Sequence, residues 1–402
     1  MESILQSTPD HLVSNLSFKL PQNGASYVQS KEQATFFPQG GDIYNPLAGQ
    51  RVLRFSLASS GYMDSSSLVI AMDFTNGPAH PATTLVNGAH CLFTRARVLI
   101  SGTEVENVEQ HHIVAEMYHR LLPAEKKANV ELMGFGGGPI ARGANKNILF
   151  RPSVLGICNQ PLWIPPFLGS QGCVLELHLA NPELFMAAGV DQSQAYSLSN
   201  ARALCDVFTL DSGLSNTYAQ HVLSGKPLAI PIKSLVVTPF QLNAGTPSFD
   251  VNVARSISRL NSVFVTLHGA TGPQVQDVNT VIAANPEAIS GRVQIGSKQW
   301  PDGFNVTGLS QFWYRLLSGL GVLHSASHTL AITRAQYETD HFIWCTDTEV
   351  LPVATGTGYN CAKGELITVS MRGLGNTHQR ATVCLHHDVI LEIRDTGADC
   401  LV

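Results

Sequence analysis

His112, Glu116 and His119 stand at i, i+4 and i+7, and Glu116-x-x-His119 reproduces half of a di-iron carboxylate motif. Carboxylate and imidazole donors on one helix face can share an ion. Such a centre needs a second Glu-x-x-His on a facing helix, and none is read in the sequence, so no metal ligand and no cofactor is assigned. His324 and His328 are four apart in a Ser-rich segment without a third ligand nearby. His386-His387-Asp388 falls in a strand pattern, where neighbours face opposite sides. Solvated or core-edge histidines are the reading of both groups. Gly134-Phe135-Gly136-Gly137-Gly138-Pro139 lacks the Gly-Lys-Ser/Thr ending of a phosphate loop and follows a helix instead of a strand, so it reads as a plain loop. The chain contains no Gly-x-Ser-x-Gly elbow, His-Glu-x-x-His or Cys-x-x-Cys. No catalytic residue is therefore assigned and the chain reads as a non-enzyme, although scattered Ser, His and Asp leave convergence into a hydrolase open.

The elements that must carry these residues are mostly strands. Leu53, Phe55 and Leu57 alternate with Arg54 and Ser56, as expected of a half-buried strand. The pattern returns with Leu175, Leu177 and Leu179, with Ile367, Val369 and Met371, and with Val389, Leu391 and Ile393. Two stretches read as helix. Gln110 to Leu122 gathers Val114, Met117, Tyr118, Leu121 and Leu122 on one face before Pro123. Gly308 to Ser318 follows an N-cap expected at Thr307 and buries Leu309, Phe312, Trp313, Leu316 and Leu317 before Gly319. Residues 212–226 read as a short helix or a polar linker.

The 402 residues exceed what one compact domain usually needs, and 14% charged residues with 34 Gly and 21 Pro suit an all-β protein of many strands and turns. A formal charge of −5 gives no footing for wholesale binding to nucleic acid or anionic lipid. The eight cysteines are scattered singly and read as reduced and mostly buried. A basic, apolar leader is not visible at Met1-Glu2-Ser3, and no eighteen apolar residues run together, so secretion and membrane spanning are not expected. The sequons at Asn15 and Asn305 read as chance.

An internal repeat organises the chain. Arg97-Val98-Leu99-Ile100 matches Arg292-Val293-Gln294-Ile295, and Arg120-Leu121-Leu122 matches Arg315-Leu316-Leu317, at one constant offset of 195. Between these anchors Val105/Trp300, Val114/Leu309, Met117/Phe312 and Tyr118/Trp313 are apolar in both copies. The same offset lays Ser67 to Met72 on Ser262 to Leu267, and the halves end alike in Asp206 to Asp211 and Asp388 to Ile393. Strand, turn, strand, helix thus recurs in order, with longer excursions at about 123–146 and 320–340. A helix inserted between strands and long links favour a jelly roll over an immunoglobulin-like sandwich. The expected organisation is an arm at 1–44 with one amphipathic helical piece, a first jelly roll at 45–214, a linker at 215–226 and a second jelly roll at 227–402. Arg120 and Arg315 should occupy matching helix positions, each reaching a nearby carbonyl or carboxylate, with Leu121, Leu122, Leu316 and Leu317 buried.

The block Phe93-Thr94-Arg95-Ala96-Arg97-Val98-Leu99-Ile100-Ser101-Gly102-Thr103-Glu104-Val105-Glu106-Asn107-Val108, followed by Tyr118-His119-Arg120-Leu121-Leu122, resembles the strand-turn-strand-helix block of double jelly-roll major capsid proteins. The relatives meant are those of polinton-like viruses, virophages and nucleocytoplasmic large DNA viruses. The ending His387 to Ile393 is similar to their last strand. The resemblance implies a structural protein that self-assembles as trimeric, pseudo-hexameric capsomers of an icosahedral shell, located in the virion and made inside the host cell. It also implies neighbouring capsomers, penton and minor capsid proteins and an internal membrane as partners, with no sequence-specific nucleic-acid binding. A carbohydrate-binding or cupin-like β-sandwich is the alternative. It would need an aromatic-lined cleft or a His/Glu cluster on one barrel. A β-solenoid would show a short repeat, which is not visible.

Overall fold

A computed structural model describes residues 27–402 apart from 48, 78–87, 137–139, 142, 169–171, 185–195, 244–245, 270–286, 324, 326–328, 351–356, 363, 375–379, 396 and 402. In the first half the chain forms β1 (Val28–Phe36), β2 (Ile43–Tyr44), β3 (Val52–Ser56), β4 (Tyr62–Asn76), β5 (Phe93–Ile100), β6 (Thr103–Glu109), α1 (His111–Arg120), α2 (Ala124–Met133), β7 (Asn145–Phe150), β8 (Cys173–Leu179) and β9 (Tyr196–Leu210). Helix α3 (Ser212–Leu223) leads into β10 (Leu228–Gln241), β11 (Ser248–Val253), β12 (Leu260–His268), β13 (Ser290–Ile295), β14 (Lys298–Trp300) and β15 (Val306–Thr307). The second half closes with α4 (Leu309–Gly319), α5 (Arg334–Thr339), β16 (Ile343–Asp347), β17 (Ile367–Arg372), β18 (Arg380–Arg394) and β19 (Gly397–Leu401).

The described strands build four sheets, ordered β1-β9-β4-β7 and β3-β8-β5-β6 in the first half, β10-β18-β12-β16 and β11-β17-β13-β14 in the second. When the eight principal strands of each half are numbered in chain order, both halves read 1-8-3-6 and 2-7-4-5. That order is a jelly roll: eight antiparallel strands in two facing sheets, so the fold is all-β and doubled. The short strands β2, β15 and β19 pair with β9, β13 and β18.

Apolar alternation explains the facing of the strands. Leu53, Phe55 and Leu57 are buried while Arg54 is exposed. The polar rows of β5 and β8 are neutralised on the outer face, where Glu176 accepts from Arg97 Nε at 2.8 Å and pairs with Arg54 at 3.4 Å. The long β4 carries an irregularity between Asp64 and Val69, and there the Asp64 carboxylate accepts from the Ser66 amide at 3.0 Å and the Ser66 hydroxyl at 2.6 Å. Local side-chain bonds of this kind satisfy backbone groups that leave the ladder.

Two local expectations change, and at 212–226 one of the two readings holds. Residues 28–36, read as arm, are a strand paired with β9 from Val28↔Leu210 to Phe36↔Ala203. Their polar edge-strand composition hid them, because β9 supplies the pairing and little of β1 is buried. The amphipathic piece read nearer the start lies outside the described residues. Between the rolls, 212–223 is helix, capped by the Asp211 carboxylate on the Gly213 amide at 3.0 Å. Before α4 the cap residue is Gly308 with φ 76°, while Thr307 sits in β15 and gives its amide to Gln311 Oε1 at 3.0 Å.

Candidate functional site at the seam of the two rolls

Helix α1 follows Gln110, which adopts a left-handed conformation with φ 52°, and is buried along nearly its whole length. One side rests on the turn Ala89–Leu92 and β5 of its own roll. The other meets the second roll: the Tyr118 ring stands edge-on to Phe264 of β12 at 5.8 Å, and Arg120 donates to the Asp340 carbonyl. The copy in the second half behaves differently. Helix α4 buries only Leu309, Phe312 and Leu316, with Phe312 against Phe342 at 5.5 Å and Trp344 at 5.3 Å. Leu121 and Leu316 are buried as expected, whereas Leu122 and Leu317 are half-buried. The matched arginines also part company. Arg120 is 4% exposed and reaches both Glu116 of its own helix and the Asp340 carbonyl of the second roll, while Arg315 lies over the Tyr314 ring at 5.9 Å.

The residues singled out for chemistry are therefore inside the seam. Glu116 accepts from Arg120 Nε at 2.8 Å through Oε1, and its Oε2 lies 2.8 Å from His90 Nε2. Cys91 Sγ stands 3.8 Å from the same Oε2. The His119 ring tilts against His90 at 4.7 Å between centroids, and neither ring nitrogen of His119 has a hydrogen-bond partner among the described residues. Burial works against the Glu116 charge, yet the His90 hydrogen bond and the Arg120 guanidinium outweigh it and hold the carboxyl below its usual range. Burial pushes the Cys91 thiol well up, with the Glu116 charge adding to it, and draws His119 down to about 4. His112 is buried and lowered to about 3 by the same desolvation, with Arg380 of the second roll adding to it.

A second contact line runs along β6. Glu106 is buried and accepts from the Gly156 amide at 2.9 Å and the Ile157 amide at 2.8 Å. Burial raises its carboxyl to about 7, although these amides and Ser234 of β10 counter part of the shift. Cys400 of β19 donates to the Val105 carbonyl at 3.8 Å. A polar cleft of about 350 Å³ between β6 and the second roll is lined by Glu104, Glu106, Asn107, Ser234, Arg255 and His387.

The remaining candidates do not converge. His324 and His328 lie outside the described residues, as do Gly137, Gly138 and Pro139 of the glycine-rich loop. In β18, His386 Nδ1 faces the Ser262 hydroxyl at 3.4 Å, and Asp388 Oδ1 accepts from Asn261 at 2.8 Å. A Ser-His-Asp relay needs the carboxylate on Nδ1, which this arrangement does not provide. A Glu-x-x-His that the sequence reading passed over, Glu338 to His341, also stays apart: Glu338 pairs with Arg334 at 2.7 Å and His341 with Asp340 at 2.7 Å. His90 and Cys91 were missed because nothing in their local sequence marks them; only the fold carries the turn Ala89–Leu92 to Glu116. All eight cysteines are free, and seven are buried. On the surface, Tyr27, Tyr62, Leu162, Trp163, Leu214 and Tyr218 line an apolar groove of about 580 Å³ where the first roll, α3 and β10 meet.

No protein-family model and no curated protein matches the sequence. Solved structures do match. The crystal structure of PBCV-1 VP54, fitted into a cryo-EM reconstruction of the virophage Sputnik, aligns with a TM-score of 0.67 at 12% identity over 96% of this chain and 99% of that one. The Faustovirus major capsid protein aligns with a TM-score of 0.60 at 9% identity, covering 98% and 94% of the two chains. The mavirus major capsid protein gives 0.51 at 11% identity over 98% and 93%. The chain therefore has, over nearly its full length, the double jelly-roll fold of viral major capsid proteins.

Proposed function

We propose that the chain is a viral major capsid protein, structural and not catalytic, of which three copies close into a pseudo-hexameric capsomer. The observation that carries this reading is the strand order 1-8-3-6 and 2-7-4-5 found twice in one chain, over a length that solved capsid proteins share almost end to end. Two like rolls fixed side by side give each subunit one third of a six-sided rim, and a cyclic trimer completes it. The apolar groove beside α3, and the exposed Leu132 and Met133 of α2, offer the contact area that a subunit interface needs. Capsomers then tile an icosahedral shell in the virion. Penton and minor capsid proteins, or an internal membrane, meet residues 1–26, and the genome is not bound by sequence. The mass of the purified protein in solution tests the reading, together with electron micrographs of concentrated material. Trimers and hexagonal capsomers or shells are expected, and a stable monomer at micromolar concentration refutes it.

A further inference from the structure

We propose that His90, Cys91, Glu116 and His119 form a zinc site that fastens α1 to the turn Ala89–Leu92 beneath the second roll. One imidazole nitrogen, one thiol sulfur and one carboxylate oxygen, all buried, lie within 4.8 Å of one another. A tetrahedral zinc with Zn–N and Zn–O near 2.0 Å and Zn–S near 2.3 Å sets donor-to-donor edges of roughly 3.3–3.6 Å. The two edges to Glu116 Oε2 are 2.8 Å from His90 Nε2 and 3.8 Å from Cys91 Sγ, so each reaches its tetrahedral value with a shift of under about 1 Å, while His119, outside that group of three, must turn its ring toward the ion to complete the site. His119 lies against His90, 7% exposed, and neither ring nitrogen has a hydrogen-bond partner among the described residues. A buried imidazole in that condition is costly, and coordination removes the cost. Arg120 on Oε1 acts as the outer partner that orients a ligating carboxylate. Thiolate with imidazole selects zinc over magnesium or calcium. On binding, the Cys91 thiol releases its proton to solvent, and the hydrogen bond between His90 and Glu116 gives way to two bonds to the ion.

The test uses the full chain, stripped with a chelator and titrated with Co²⁺ and then Zn²⁺. One equivalent of cobalt should give the visible bands of a tetrahedral ion and a thiolate-to-cobalt charge-transfer band, all lost when zinc displaces it. Cys91→Ser should abolish the charge-transfer band, His119→Ala should weaken zinc binding at least about tenfold, the lower end of what loss of even an outer partner costs, and His221→Ala, on the exposed face of α3, should change neither. A folded wild-type chain without the charge-transfer band, or a Cys91→Ser chain that keeps it, overturns the proposal. Should Cys91→Ser fail to fold, alkylation of the wild type decides: zinc must protect Cys91 at one equivalent, and equal labelling with and without zinc overturns the site. None of these readouts depends on capsomer assembly.

Discussion

Gly156 lies against Lys233 of β10 in the second roll. A Cβ at that position would sit 1.9 Å from the Lys233 carbonyl oxygen, which is backbone and has no room to yield. Gly156→Ala is therefore expected to destabilise by about 2–3 kcal/mol through forced separation of the turn Gly156–Cys158 from β10, read as a lower denaturation midpoint; an unchanged midpoint would count against the tight seam. Glu106, which holds the Gly156 amide, has a pH signature. Its carboxyl keeps its proton to about pH 7 when folded but releases it near 4.5 when unfolded. The contribution of the protonated form is fully present below 4.5 and is lost as pH rises through 7. Glu106→Gln removes that titration. Between pH 4.5 and 7 the wild type should lose up to about 3 kcal/mol relative to the variant, measured by chemical unfolding at each pH; parallel curves would contradict the burial of this carboxyl.

At the level of elements, α1 and α4 occupy the same place in two copies of one topology and bury the same face, but α1 is covered nearly all round and α4 is not. Leu316 is fully buried beside Phe312, so Leu316→Ala should cost about 2–5 kcal/mol, while the half-buried Leu317→Ala should cost clearly less. The corresponding pair in α1, Leu121 and Leu122, should repeat the order, and thermal unfolding of the four variants checks it. Equal losses within each pair would mean that the helices are not docked alike on their own rolls. The amphipathic pattern made both helices legible, because apolar residues at helical spacing must turn toward some core. It could not reveal that the polar face of α1, carrying His112, Glu116, His119 and Arg120, is also covered. Polar residues on a helix ordinarily mean solvent, and here the turn Ala89–Leu92 together with the second roll reverses the rule.

For the whole molecule, residues 28–36, read as arm, belong to the first sheet, since β1 pairs along β9. On the proposed assembly, removing residues 1–26 should leave a folded trimer, its mass by light scattering lower only by the deleted residues, while closed shells disappear from micrographs. Normal shells would deny this segment a role in assembly. Removing 28–36 as well should lower stability, because the β9 edge loses its partner.

What the sequence alone determined is the doubled all-β plan. Arg97 to Ile100 and Arg292 to Ile295, in β5 and β13, and the helices that follow them were matched by type and spacing. Strand alternation and helical periodicity are local consequences of burial, so they leave a one-dimensional trace. The edge strand β1 left none, because its ladder bonds use backbone atoms common to every residue. The seam left none either. His90 and Glu116 are 26 positions apart, and Arg120 and Asp340 are 220 apart. Their meeting depends on where α1 lies against its own turn and against the neighbouring roll. Tertiary packing decided that, since the energy of placing each buried charge comes from partners that sequence spacing does not encode.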